Sequence, residues 1–180
     1  MPNPGDEFEY LGCVVGLRLT PGRVDADFYF LWISPQRLQG GDSDFAVGEG
    51  RRAFLFSNLD RAVHLLDGLQ KNVYPGMVVI DPVNCIDVPE TMRMIAEGVV
   101  DEQDVVVNTY NTLRDILRHT AYEAVPRRHR RALFDLQHHL TFDKNIGLFF
   151  EKSKWSRKRV RDGFLWLVGA VFASVQIEPV

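Results

Sequence analysis

The sequence predicts an α+β protein: an N-terminal antiparallel sheet of about three to four strands with one helix, followed by a helix-rich half packed on it. Three observations carry this. Segments rich in aromatic and β-branched residues crowd the first 88 positions, helical periodicity takes over from 89 to 178, and the two kinds of segment do not alternate as a parallel α/β fold requires. No Gly- or Ser-rich linker divides the chain, so residues 1–180 are read as a single domain, strand-rich over 8–88 and helix-rich over 89–178.

Residues 11–19, LGCVVGLRL, end at Thr20-Pro21-Gly22-Arg23, where Pro followed by Gly signals a turn. Residues 26–34, ADFYFLWIS, stop at Pro35, and the two segments are expected to pair as an antiparallel hairpin. The stretch from Pro35 to Gly50, with QGGDSD and GEG, reads as an exposed loop, and RAFLFS at 52–57 as a third strand. SNLDRAVHLLDGL then has the Ser-x-x-Asp form of a capping box at Ser57 and Asp60. Leu59, Val63, Leu66 and Leu69 share one face of a helix over about 59–69, whose end Gly68 weakens. Tyr74-Pro75-Gly76 turns the chain into MVVID, 77–81, a short central strand closed by Pro82. Helices follow over 89–98, over 101–119 with an acidic first turn, from Pro126 to about Leu140, and from about Ser153 to Val175.

Hydrophobic residues at 46% and charged residues at 25% are those of an ordinary globular chain rather than a disordered one. Cys13 and Cys85 are too few for a disulfide framework and suit a reducing compartment. The start, MPNPGDEFEY, has neither a basic nor an apolar signal region, so a cytoplasmic location is expected. The net charge of −3 conceals a split: residues 1–125 carry 10 Lys and Arg against 19 Asp and Glu, a balance of −9, whereas 126–180 carry 11 against 5, a balance of +6. Either the two parts complement each other within the fold, or each faces a different partner.

Motifs that name a chemistry are scarce. His138 and His139 stand near His129, but adjacent helical residues point about 100° apart and do not face one ion, so no metal or cofactor is expected. Cys85, in the loop IDPVNCIDVPE expected after the strand MVVID, has Asp81, Asn84 and Asp87 beside it in sequence, and with His64 as base it would give a Cys-dependent enzyme. The simpler account is a small buried thiol next to turn-capping carboxylates. GGDSDFAVGEG lacks the Lys-Ser or Lys-Thr of a phosphate loop and is acidic.

Two basic clusters remain. PRRHRR at 126–131 and KSKWSRKRVR at 152–161 open predicted helices, where the dipole disfavours cations, so helix stability does not account for them. They are either the counter-charge to the acidic part or a nucleic-acid surface. The second reading would use Arg127, Arg128, Arg130, Arg131, Lys154, Arg157, Lys158, Arg159 and Arg161 on phosphates, with Trp155 stacked on a base. The apolar run after them, Phe164 to Ile177, has 14 residues where a membrane span needs about 20. Val160, Phe164, Leu167, Val171 and Val175 recur at core-facing helical spacing instead.

Over residues 10–70, the order of three strands leading through RAFLFSNLDRAVHLLDGL into a helix resembles the immunity proteins of interbacterial polymorphic and contact-dependent toxin systems. The resemblance implies a non-catalytic cytoplasmic bacterial inhibitor that occludes its cognate toxin, with acidic residues set against a basic nuclease surface. It carries over no residue by position. The acids expected to meet such a partner are Asp42, Asp44 and Glu49 in the loop and Asp101, Glu102 and Asp104 at a helix start.

Overall fold

The structure, a computed structural model, describes residues 9–36, 44–50, 52–98, 104–118, 125–143 and 145–178. The expected hairpin is formed by β1 (Glu9–Arg18) and β2 (Phe28–Gln36), antiparallel with Leu17 opposite Phe28. Its turn is held by one side chain. The Asp27 carboxylate accepts from the backbone N–H groups of Leu19 (2.7 Å) and Thr20 (2.9 Å), from the Thr20 hydroxyl (2.9 Å) and from the Arg23 guanidinium (2.7 Å). Gly22 takes the positive φ of 74° that the turn requires.

β3 (Phe45–Ala46) extends this sheet beyond β2, and β6 (Val78–Asp87) joins it on the other side of β1, giving the order β3-β2-β1-β6. β4 (Gly48–Glu49), β5 (Arg52–Leu55) and β7 (Val175–Ile177) form a second, three-stranded sheet in the order β4-β5-β7. The two are stitched by reciprocal backbone bonds between Tyr29 and Phe56, at 2.8 and 2.9 Å.

The α+β class holds, with several corrections of detail. The main sheet is mixed, because β6 runs parallel to β1, and β6 lies at its edge rather than at its centre. It also continues through Pro82 to Asp87. Its pairing with β1 slips between Cys13 and Val15, and an outermost strand needs no N–H on its solvent side, so proline is tolerated there. The predicted third strand belongs to the second sheet, and the 35–50 segment contains β3 and β4.

α1 (Leu59–Asn72) is capped by Asn58, not Ser57: the Asn58 side chain accepts from Asp60 N–H at 2.7 Å and Arg61 N–H at 3.4 Å, and the helix runs on past Gly68. α2 (Val88–Glu97) starts at the Asp87 cap and ends on Gly98, left-handed at φ 72°. α3 (Asp104–Arg118) covers the described part of the expected 101–119 helix. α4 (Arg127–Phe142) begins after Pro126. The helix expected over 153–175 is two: α5 (Ile146–Lys152) and α6 (Arg157–Ser174), separated at Ser153–Ser156, where Ser156 caps α6 by accepting from Arg159 N–H.

Strand alternation places these layers. Val14, Leu31 and Ile33 face Ala62, Leu66 and Met77 on the α1 side, while Val15, Leu17, Phe30 and Ile86 face the helices that follow. The second core draws Met94, Ile95, Tyr110, Leu113, Leu133, Leu136, Phe164 and Leu167 from four helices, so strand-rich and helix-rich parts share one interior. A buried hydroxyl pair, Thr91 and Thr109 at 2.9 Å, ties α2 to α3, with Thr91 also donating to the Asp87 carbonyl. No helix among the described residues is long and apolar enough to cross a membrane.

Candidate functional site

The two basic clusters meet where α4 crosses α6. Close approach is set by Gly163: a Cβ there would lie 3.0 Å from the Leu133 Cγ, so glycine lets the two helices touch. One turn before Leu133, His129 is buried at 3% exposure between them. Its Nε2 accepts from Arg128 Nε at 3.4 Å, which leaves Nδ1–H to donate to the Arg159 carbonyl at 3.4 Å. The exposed Trp166 ring stacks on His129 with centroids 6.4 Å apart and planes 27° apart. Arg128, His129, Arg159, Asp162, Leu165 and Trp166 line an open cleft of about 270 Å³.

Leu165 and Trp166 also begin a second depression of about 490 Å³, which continues over Gly169, Ala170 and Ala173. Leu165 is 57% and Trp166 49% exposed, high values for side chains in the middle of an 18-residue helix. The spacing of 165, 166, 169 and 173 is that of one helical face, opposite the buried Val160, Phe164, Leu167 and Val171. The outer face of α6 is therefore an apolar trough with a cationic end. A separate aromatic stripe runs along α4, where the rings of Phe134, His138 and Phe142 pack in tilted contact, their centroids 6.3 and 5.0 Å apart.

The other members of the basic set are placed differently. Trp155 is not a free stacking platform: its Nε1–H donates to Asp135 at 2.7 Å, it is half-buried, and the Lys154 ammonium lies 5.0 Å from its ring centroid. Arg157 donates to the Ala96 carbonyl at 3.2 Å, closing the C-terminal end of α2. Arg161 lines another cleft with Glu90, Arg93 and Asp87. Arg130 is half-buried within α4. Among the described residues no ion pair matches Arg127, Arg128, Arg131, Lys158 or Arg159.

Three of the acidic candidates are described, each at a different element. Asp44 is exposed beside β3 and accepts from the Ser34 hydroxyl at 2.5 Å, Glu49 is exposed in β4 of the other sheet, and Asp104 is exposed in the first turn of α3. Asp42, Asp101 and Glu102 lie outside the described residues.

The Cys85 and His64 option fares no better. Cys85 lies within β6, not in a loop, beside Gly16 and close to the Arg18–Asp87 ion pair of 2.6 Å. Burial raises its thiol pKa, against the lowering effect of Arg18, so it is held as a thiol. His64 is exposed on the face of α1 opposite Ala62 and Leu66, in a cleft with Phe54, Phe56, Asp60 and Glu178, pointing away from the sheet that contains Cys85. Among the described residues no group of three His, Cys, Asp or Glu is placed to hold a metal ion.

Trp166 and Leu165 are the residues that sequence reasoning missed. Both sit inside the apolar run FLWLVGAVFASV and share its hydrophobicity, but they fall in the gaps of the 160, 164, 167, 171 spacing, which is the signal that marks them as outward-facing. Comparison with protein-family models, with curated proteins and with solved structures finds no match.

Proposed function

We propose that the protein works by binding another protein, as a non-catalytic inhibitor of the immunity type that neutralises a bacterial toxin in the cytoplasm. One observation carries the reading: an exposed tryptophan and leucine at the centre of α6, flanked by arginines and adjoining an apolar trough. Aromatic residues and arginine are the side chains enriched at the centres of protein interfaces and at binding hot spots. An apolar strip on a helix face that the described residues leave uncovered is a feature of protein-interaction sites. The resemblance of residues 10–70 to toxin-immunity proteins supplies the kind of partner.

The test is to co-express the chain with the toxin domain encoded by the adjacent gene. A stoichiometric complex that survives gel filtration and the loss of toxin activity are expected. Absence of both the complex and protection would overturn the reading.

A further inference from the structure

We infer that the toxin meets this chain through the outer face of α6, and that it presents an apolar side chain flanked by a carboxylate. The inference rests on the inhibitor reading and reverses the polarity of the contact that the acidic candidates would have given.

The charges decide the partner's sign. Four arginines in the first 118 residues are matched by carboxylates: Arg18 by Asp87, Arg23 by Asp27, Arg93 by Glu90 and Glu97, Arg114 by Asp115. At the α4–α6 crossing, Arg127, Arg128, Arg131, Lys158 and Arg159 gather at two helix N-termini without ion-pair partners among the described residues. The positive ends of both helix dipoles add to the same field, so the arrangement costs stability in the free chain and favours an anion.

The trough decides the partner's class. Beyond Trp166, which already stacks on His129, Leu165, Gly169 and Ala173 offer no plane on which a second base could stack, whereas the space above Gly169, where a Cβ would meet nothing within 4 Å, accepts a branched or aromatic side chain. In the adjoining cleft, Arg128 and Arg159 are set against Asp162, leaving one net positive charge. That balance suits a single carboxylate next to an apolar anchor, and suits a run of phosphates poorly. The buried His129, bonded to Arg128 and to the Arg159 backbone, holds the two cationic residues in place before the partner arrives.

The experiment measures the Kd of the full chain for the adjacent-gene toxin domain by calorimetry. Trp166→Ala and the pair Arg128→Glu with Arg159→Glu are compared with Asp44→Lys, Glu49→Lys and Asp104→Lys combined. All changed side chains are at the surface, and unchanged thermal unfolding shows that each variant folds. Trp166→Ala is expected to weaken binding by about 30-fold or more, and the arginine pair by about 100-fold. The acid triple should alter it by less than about threefold. In the arginine variant the dependence of the association rate on salt should flatten.

A Kd insensitive to Trp166 and the arginines but lost in the acid triple would overturn this contact face while leaving the inhibitor reading intact. Failure of the unmodified chain to bind the toxin would remove both. Two side measurements complete the test. Binding of a dT20 oligonucleotide at low salt that Trp166→Ala weakens would instead make the surface a nucleic-acid platform. Dimerisation seen by sedimentation and abolished by Trp166→Ala would make it a self-interface.

Discussion

At the scale of single residues, the fold depends on carboxylates used as fixed acceptors. Asp27 is the clearest: four donors converge on it, chiefly the Leu19 N–H, and hold its pKa at about 2 instead of the usual 3.8. A carboxyl held below its unfolded value stabilises the fold fully above that value, and the contribution is lost as pH falls through about 2. Asp27→Asn should therefore be less stable than the parent at pH 7 and nearly equal to it near pH 2, as read by urea unfolding at both. A difference that did not change with pH would show that the turn depends on shape and not on the charge. Asp87 works similarly, capping α2 through Glu90 N–H while pairing with Arg18. Sequence reasoning read Asp87 as a turn-capping carboxylate, but it placed the cap of α1 at Ser57 and not at its neighbour Asn58. Ser57 and Asn58 are both good caps, and the backbone of Asn58, extended at φ −131°, is the one that places its side chain over the first turn.

At the scale of elements, the site exists because two helices cross closely, and the closeness is a property of one glycine. Replacing Gly163 with alanine gains up to about 1 kcal/mol of helix propensity. The added Cβ would meet three carbons of the buried Leu133 at 3.0 to 3.3 Å, and overpacking of this kind costs about 1–3 kcal/mol. Gly163→Ala is expected to be net destabilising in chemical unfolding, and Gly163→Ala with Leu133→Ala to cost less than the two singles added. Gly169→Ala, on the open side of the same helix, should be neutral or stabilising; equal losses at both positions would sink the argument.

Helix boundaries were legible where the chain carries punctuation, as at Pro126 and Gly98. β6 and β7 were less so. Parallel pairing depends on a partner brought alongside by intervening chain, which no local pattern encodes, and Val175–Ile177 continues the hydrophobicity of α6 without a break. The cationic half of the site was visible as two charge clusters misplaced for helix dipoles. Its apolar half was hidden, because an outward Leu165 and Trp166 look like core in a list of hydrophobic residues.

At the scale of the whole molecule, the main sheet is the common wall of two cores. Phe30 belongs to the core shared with the later helices and its neighbour Leu31 to the core under α1, both at 0% exposure. Strand β2 cannot be disrupted on one face without moving the side chains of the other, since its pleat alternates between them. Leu31→Ala removes contacts on the α1 side alone, at a cost of about 2–5 kcal/mol. If the strands couple the cores, that loss must appear everywhere at once. Far-ultraviolet dichroism, dominated by the helices, and the fluorescence of Trp32, Trp155 and Trp166 should then show one coincident unfolding transition in both the parent and the variant, shifted to lower denaturant in the variant. Two separated transitions, with the α1 side melting first and the α4–α6 crossing persisting, would mean that the outer face of α6 rides on a helical unit that folds without the α1 layer. A single transition ties the geometry of Arg128, Arg159 and Trp166 to the integrity of the entire sheet, so that destabilisation far from the surface would weaken the proposed partner binding only by unfolding the chain.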